Sequence, residues 1–360
     1  MASVEWGKYR IDDLFKIQTS AKRFDANKVN IIENGRYPYV VRTSSNNGQK
    51  GFLDENESFL NAGNTISFGQ DTATIFYQEK PYFTGDKIKI LVPKVYKFNK
   101  KNAQFFLASM NIAFSKFSWG SSRFNVDVLK EQVIMLPTKC DSIDFEFMES
   151  FIEELEAERI EELEAYLSVS GLKDTQLTAD ELSALDKFNS IKWKKFNLET
   201  LFGKSTRGKR LKGDDRIGGN LPFVTAGETD EGISAFISND VEIFSSNTTT
   251  IDMFGSAKYR NYNYGADDHI AVVHTENLSK YAAIFVTSAC HKSAHNGDFS
   301  YSRNFYAKDA DKLYISLPVK NEQPDYELMS TLISAMQKLV IADVVKFSDE
   351  KIKATKQVVG

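Results

Sequence analysis

The chain has 360 residues, 42% of them apolar, and its 45 basic and 49 acidic side chains give a formal net charge of −4. That length predicts two or three domains, each able to bury its own core; no apolar run nears the ~18 residues of a membrane span, and the opening MASVEWGKYRIDD lacks the apolar core of a signal peptide. Cys140 and Cys290 stand 150 positions apart without metal-ligand spacing, which favours a reducing, cytoplasmic setting over a disulfide framework.

In chain order, residues 1–140 read as a mainly β domain. Short β-branched or aromatic runs bounded by Gly, Asn and Asp predict strands at 37–41, 65–68, 74–77, 87–92 and 132–136. The near-helical spacing of Phe105, Phe106, Ala108, Ile112 and Ala113 predicts a helix over 103–115. Residues 141–190 change character. Phe145, Met148, Ile152, Leu155, Ile160, Leu163 and Leu167 recur at three- and four-residue steps, broken once, in a background of Glu. That is a helix with a narrow apolar stripe. Asp141, Ser142 and Asp144 can cap it, and Gly171 marks its stop. A second helical piece, 178–188, begins at a Thr cap.

Residues 191–320 repeat the β pattern, with strands near 223–225, 249–253, 270–274 and 312–316 and a helix near 279–288. Residues 321–360 form a second long helix, opened by Asp325, with Met329, Leu332, Ile333, Met336, Val340, Val344 and Phe347 on one side. Two unpartnered stripes predict that the long helices pack as an antiparallel pair, through Met148, Ile152, Leu155 and Leu163 on one and Met329, Met336, Val340 and Val344 on the other. The alternative is that each helix packs only onto its own β domain.

The whole pattern is stated twice. VEWGKYRIDDLFKIQTSAKRF returns as IKWKKFNLETLFGKSTRGKRL, with Trp6 over Trp193 and Leu14-Phe15 over Leu201-Phe202. YPYVV at Tyr37 matches LPFVT at Leu221, and TISFG at Thr65 resembles TIDMFG at Thr250. Ser122-Arg123 matches Ser302-Arg303, Leu136-Pro137 matches Leu317-Pro318, and Met148 lies over Met329. A period this long is a duplicated domain; solenoid units run about 20–50 residues.

The small net charge hides strong local charge. Residues 141–190 hold 15 acidic and 3 basic side chains, which leaves the rest of the chain net basic. Nine bases fall between Lys192 and Arg216 against three acids, and Lys8, Arg10, Lys16, Lys22, Arg23 and Lys28 cluster likewise in the first half. Phosphate binding needs local positive potential, not a positive total; a solvated mixed-charge face is the plainer alternative.

Base edges are read by Arg or Lys, Asn or Gln, and more loosely Ser or Thr. Loops dense in these types supply the candidates. In the first half they are Lys22, Arg23, Arg42, Thr43, Ser44, Asn46, Asn47, Gln70 and Arg123. In the second half they are Arg207, Lys209, Arg210, Thr225, Lys258, Tyr259, Arg260, Asn261 and Arg303. The interleaving of Tyr259, Tyr262 and Tyr264 with Lys258, Arg260 and Asn263 suits a groove-facing ribbon and an ordinary aromatic strand face equally. Arg123 and Arg303 either contact a nucleic acid or pair with Asp86 and Asp268.

The ordered recurrence of W-x-x-(Y/F)-x-(I/L)-x-x-L-F, P-(Y/F)-V, a TI-x-x-G turn, an SR element, a Leu-Pro exit and a helix resembles the DNA specificity (S) subunits of Type I restriction–modification systems and of Type IIB-like relatives. The resemblance implies an α+β fold with a pseudo-twofold repeat: two similar, mainly β target recognition domains separated by an antiparallel, coiled-coil-like helix pair. It implies a non-catalytic subunit whose heads each read half of a bipartite, asymmetric site in double-stranded DNA. The helices would set the spacer and dock methyltransferase subunits, two of them, with a restriction or translocase subunit as a further candidate partner. S-adenosylmethionine would belong to the methyltransferase; no cofactor, metal or membrane is expected for this chain.

The motifs agree with that expectation. There is no Gly-rich S-adenosylmethionine loop, NPPY-type tetrad, PD…(D/E)xK pattern or P-loop. Cys290, His291 and His295 form a C-H-x3-H string without the second ligand pair a zinc site needs. The first helix, at ~37 Å, is shorter than is common in the family and matches an unread gap of roughly 5–8 base pairs. Two other classes compete: a stand-alone nuclease-like enzyme with a diverged site, and a two-headed protein-interaction adaptor.

Overall fold

The computed structural model describes residues 4–115 and 126–359, with side chains up to 354. The chain divides into two compact units, Met1–Glu162 and Leu163–Gly360. The division falls inside a long helix, not at the expected boundaries of 140 and 190.

The first unit holds ten strands among its described residues: β1 (Glu5–Arg10), β2 (Phe15–Thr19), β3 (Tyr37–Val40), β4 (Gln49–Leu53), β5 (Thr65–Gly69), β6 (Ile75–Gln78), β7 (Phe83–Thr84), β8 (Ile88–Pro93), β9 (Val133–Lys139) and β10 (Ser142–Ile143). They form three sheets ordered β1-β9-β10, β2-β8-β5-β6 and β4-β3-β7. Its helices are α1 (Ile11–Leu14), α2 (Ala103–Phe114), α3 (Val126–Glu131) and the start of α4 (Phe145–Val169).

The second unit repeats the plan with β11 (Trp193–Asn197), β12 (Thr206–Arg207), β13 (Gly218–Val224), β14 (Ile233–Ile237), β15 (Thr248–Asp252), β16 (Ala257–Arg260), β17 (Gly265–Ala266), β18 (Ile270–Val273), β19 (Tyr314–Lys320) and β20 (Gln323–Pro324). Their orders are β11-β19-β20, β12-β18-β15-β16 and β14-β13-β17, strand for strand those of the first unit. The helices are α5 (Ala179–Asp186), α6 (Leu198–Phe202), α7 (Lys280–Ala294), α8 (Ala307–Asp311) and α9 (Tyr326–Val359).

The repeated sequence motifs are cross-strand partners. Trp6 lies opposite Pro137 and Trp193 opposite Pro318, so the Trp opening and the Leu-Pro exit of each half are one antiparallel pair. In β9 and β19 the period-two alternation turns Ile134 and Leu136, and Ile315 and Leu317, into the cores. In the first unit Phe15, Phe98 and Phe106 meet edge-on, with ring centroids 5.2–5.7 Å apart. Helix α2 covers β9 and β6, and α7 covers β19 and β16.

One register differs from the sequence match. Thr65 corresponds to Thr248, two positions before Thr250. Thr65 Oγ1 donates to the Ala62 carbonyl (3.0 Å) and shares a hydrogen bond with the Tyr82 hydroxyl; Thr248 Oγ1 donates to Ser245 (3.0 Å) and shares one with Tyr264. Asn64 and Asn247, at φ 53° and 64°, accept hydrogen bonds from the Tyr77 and Tyr259 hydroxyls at 3.0 and 2.9 Å. The TI string misled because hydrophobic identity is weaker than the turn Asn in fixing where a strand begins.

The long helices follow their caps. Asp144, rather than Asp141 or Ser142, accepts the Phe147 amide at 2.9 Å, and Asp325 accepts that of Leu328 at 3.0 Å. Helix α5 opens on a capping box between Thr178 and Glu181. Within the second unit the end of α4 meets α9, where Ser348 Oγ donates to Glu164 Oε2 at 3.4 Å. The packing residues differ from expectation. Met148 and Met329 are fully buried, but in the β-domain core of their own unit. Leu163 is half-buried in the second unit, and in the first Ile152 is half-buried and Leu155 exposed. Met336, Val340 and Val344 are exposed, Val340 by 78%. The buried face of α9 is Met329, Leu332, Ala335, Val345 and Ser348, and it packs on α7 and α5. Small Ala and Ser side chains admit close neighbours there, which a count of large apolar residues does not register. By length and composition alone, Tyr326–Ala354 contains an 18-residue window apolar enough to cross a membrane, which a search for an uninterrupted apolar run does not register; 22% of that window is buried in the protein.

Candidate nucleic-acid interface

The loops after β3, β5 and β7 of the first unit converge on one open, polar cleft of about 1030 Å3. Arg23, Arg42, Thr43, Ser45, Gln49 and Lys50 line it, with Thr72 and Asp86. Two of its cations are held. Arg23 Nη1 lies 3.2 Å from Asp86 Oδ1, and Arg42 Nη1 lies 2.6 Å from Asp71 Oδ2. Lys87 Nζ reaches the same Asp71 oxygen at 2.7 Å. The hydrogen bond from Lys87, with the charge of Arg42 nearby, holds the Asp71 carboxyl below the usual carboxylate range. Lys50 has no ion-paired partner among the described residues.

Several candidates serve the loop frame as well. Asn46 and Asn47 take left-handed conformations at φ 49° and 52°, which Asn tolerates. Their amides donate to the carbonyls of Gln49 (3.2 Å) and Tyr77 (3.0 Å). Ser44 is exposed, Thr43 shares a hydrogen bond with Ser45, and the Gln70 amide donates to the Lys87 carbonyl. Lys22 stacks over Phe24 and Phe59 near Glu55. Arg123 and its neighbour Trp119 lie outside the described residues.

In the second unit the exposed charge sits on the segment after α6. Lys204, Arg207, Lys209, Arg210 and Lys212 fall within nine residues without an acid. None has an ion-paired partner among the described residues. The segment is pressed against β17: a Cβ on Gly208 would lie 1.7 Å from the Ala266 carbonyl oxygen, so only glycine fits. Five unpaired cations on a fixed backbone make a phosphate-attracting strip.

The 258–260 ribbon overturns an expectation. Arg260 is 1% exposed. Its Nε donates to Thr250 Oγ1 (2.9 Å) and its Nη1 to the Glu231 carbonyl (2.8 Å) and Tyr262 hydroxyl (3.0 Å). A buried guanidinium needs such partners, and at this burial it does not reach a base. Lys258 is bound to Glu228 (3.2 Å) and Ser256 Oγ (2.9 Å), and Tyr259 to Asn247. Antiparallel pairing to β15 turns this strand inward; Asn261, just past it, is exposed. Thr225 is half-buried, and Arg303 is exposed over the Phe299 ring and does not pair with Asp268. Cys290 is fully buried, which pushes its thiol up to about 12, while His291 Nδ1 accepts the Ala257 amide and the exposed His295 places its Nδ1 3.2 Å from the Phe254 carbonyl.

Each half therefore carries the same frame with cationic loops on it, and the halves match one known domain, over residues 3–165 and 190–344: the Type I restriction modification DNA specificity domain. The chain belongs to this family. The role of a specificity domain is recognition of DNA, not catalysis. The paired specificity domains are also 27% identical, over 94% of this chain and 96% of the relative, to the Type II restriction enzyme specificity subunit S.BcgI of Heyndrickxia coagulans. The S subunit of a Type I restriction–modification system from M. genitalium superposes with a TM-score of 0.63 at 17% identity, over 99% of this chain and 95% of that one, a likeness of fold.

Proposed function

We propose that this chain is the sequence-reading subunit of a cytoplasmic restriction–modification complex. The first unit reads one half of a bipartite, asymmetric site in double-stranded DNA and the second unit reads the other. The helical segments α4 and α9 set the unread spacer and dock methyltransferase subunits through their exposed apolar residues; S-adenosylmethionine is bound by those partners, and a restriction subunit joins them.

The observation that carries this reading is a frame kept in both units under loops that differ. Counting from the matched strand ends, Arg42, Asp71 and Lys87 of the first unit stand where the second has Ala226, Phe254 and His269. Folding needs the frame; discrimination between two half-sites needs the difference. The test is to exchange residues 193–318 for the equivalent head of a related subunit and map the methylation made with a methyltransferase partner. One half of the recognised sequence should change. Alteration of both halves, or of neither, rules out independent reading.

A further inference from the structure

The first-unit cleft contains a side-chain arrangement with no counterpart in the second unit. Arg42 leaves the end of β3 and lies against Gly69, where an added Cβ would come within 3.4 Å of Arg42 Cγ and 2.5 Å of Thr74 Oγ1. Its Nη1 is tied to Asp71 Oδ2 at 2.6 Å, and Lys87 Nζ reaches the same oxygen at 2.7 Å. Lys87 is itself held in a left-handed conformation at φ 57°, uncommon for a non-glycine residue, and its carbonyl accepts the Gln70 amide at 3.0 Å. One carboxylate thus joins three loops that otherwise have separate strands beneath them. Two cations on one anion leave the group with a net charge of +1. Arg42 is about one-third exposed and lines the cleft, so the guanidinium edge not used by Asp71 is available there.

We infer that Arg42 is a base-reading side chain of the first unit, that it takes guanine, and that Asp71 and Lys87 are positioning residues which fix its plane. This rests on the reading of the chain as a DNA specificity subunit. A guanidinium presents parallel N–H donors that match the O6 and N7 acceptors of guanine in the major groove. A free arginine must lose side-chain entropy to do so, whereas one already oriented by a carboxylate has lost much of it before binding. A phosphate contact would need only a point charge, which Lys50 on the same cleft supplies without such bracing.

The test uses the full chain assembled with its methyltransferase partner. Methylation is scored on a DNA library in which every position of both half-sites is varied. Arg42→Ala should abolish preference at one guanine in one half-site, where preference falls by roughly tenfold to hundredfold, and leave the other half-site unchanged. Arg42→Lys should not restore it, because an ammonium lacks the planar pair of donors. Asp71→Asn should weaken the preference at that same position while leaving the salt dependence of binding unchanged. If Arg42→Ala lowers binding to all sequences equally and reduces the salt slope by about one, the side chain holds phosphate and the inference is overturned. It is equally overturned if Arg42→Ala discriminates as the unaltered chain does. If the unaltered complex shows no sequence preference, the reading of the chain as a specificity subunit fails instead.

Discussion

Gln78 in the first unit and Arg260 in the second hold the same register position, opposite Thr65 and Thr248. Each donates to the carbonyl of a left-handed residue, Gln78 Nε2 to Asn47 (3.2 Å) and Arg260 Nη1 to Glu231 (2.8 Å). Each of those residues is followed by a glycine at positive φ, Gly48 or Gly232. The turn between the third and fourth strand of each unit is thus clamped by the last residue of β6 or β16. Arg260→Ala removes the clamp and orphans its partners, which should cost about 2–4 kcal/mol. Denaturant unfolding should show the loss, and Arg260→Gln should recover part of it. An unchanged midpoint with altered preference at one base would return Arg260 to the reading surface.

The basic strip of the second unit should act without regard to sequence. Replacing Lys209 and Arg210 by Ala should weaken binding to specific and random duplexes alike and lower the salt slope by up to about 2. Titrations at several salt concentrations give the slope. A change confined to the specific site would show that these side chains read bases.

Gly208 determines where that strip lies. Gly208→Ala places a methyl carbon against the Ala266 carbonyl and forces the backbone away from β17. The expected result is a destabilisation of about 1–3 kcal/mol together with weaker DNA binding, whereas Gly213→Ala, with nothing within 4 Å of the added carbon, should be near neutral in stability. Equal melting temperatures for the two variants would contradict the close approach.

Glu181, in the first turn of α5, ties that helix to α9. It accepts from Ser334 Oγ (2.6 Å) and Lys338 Nζ (3.1 Å). Burial alone would raise its carboxyl; the hydrogen bonds from Ser334, the Thr178 amide and Lys338 outweigh this and hold it at about 2. A carboxyl depressed in the folded state contributes stability that is present above its ordinary value near 4.5 and is lost as pH falls from there toward 2. Unfolding followed between pH 6 and pH 2 should therefore show a decline that Glu181→Gln removes in part. Parallel curves for the two proteins would discount the contribution.

The two faces of α9 should respond differently to charge. Leu332→Asp buries an unpaired carboxylate in the second unit and should destabilise it by several kcal/mol. Val340→Asp, on the exposed face, should leave the melting profile unchanged and reduce assembly with the methyltransferase partner. Pull-down and calorimetry on the same samples separate the two effects.

The duplication, the α+β class, the helix openings near Asp144, Thr178 and Asp325 and the strands that end each half before its long helix were legible in the sequence. They depend on local periodicity and on side chains that bond their own backbone, both of which a linear string contains. The fates of the polar candidates were not. Arg42 and Arg260 are the same residue type and both stood among the base-reading candidates, yet one lines a cleft and the other is buried, because only the pairing of β15 with β16 turns Arg260 inward. The same applies to Met336 and Val340, left exposed while Ala335 and Ser348 take the buried face of α9. Burial is decided by what crosses a residue from elsewhere in the chain, and no local pattern records which loop, strand or helix that will be.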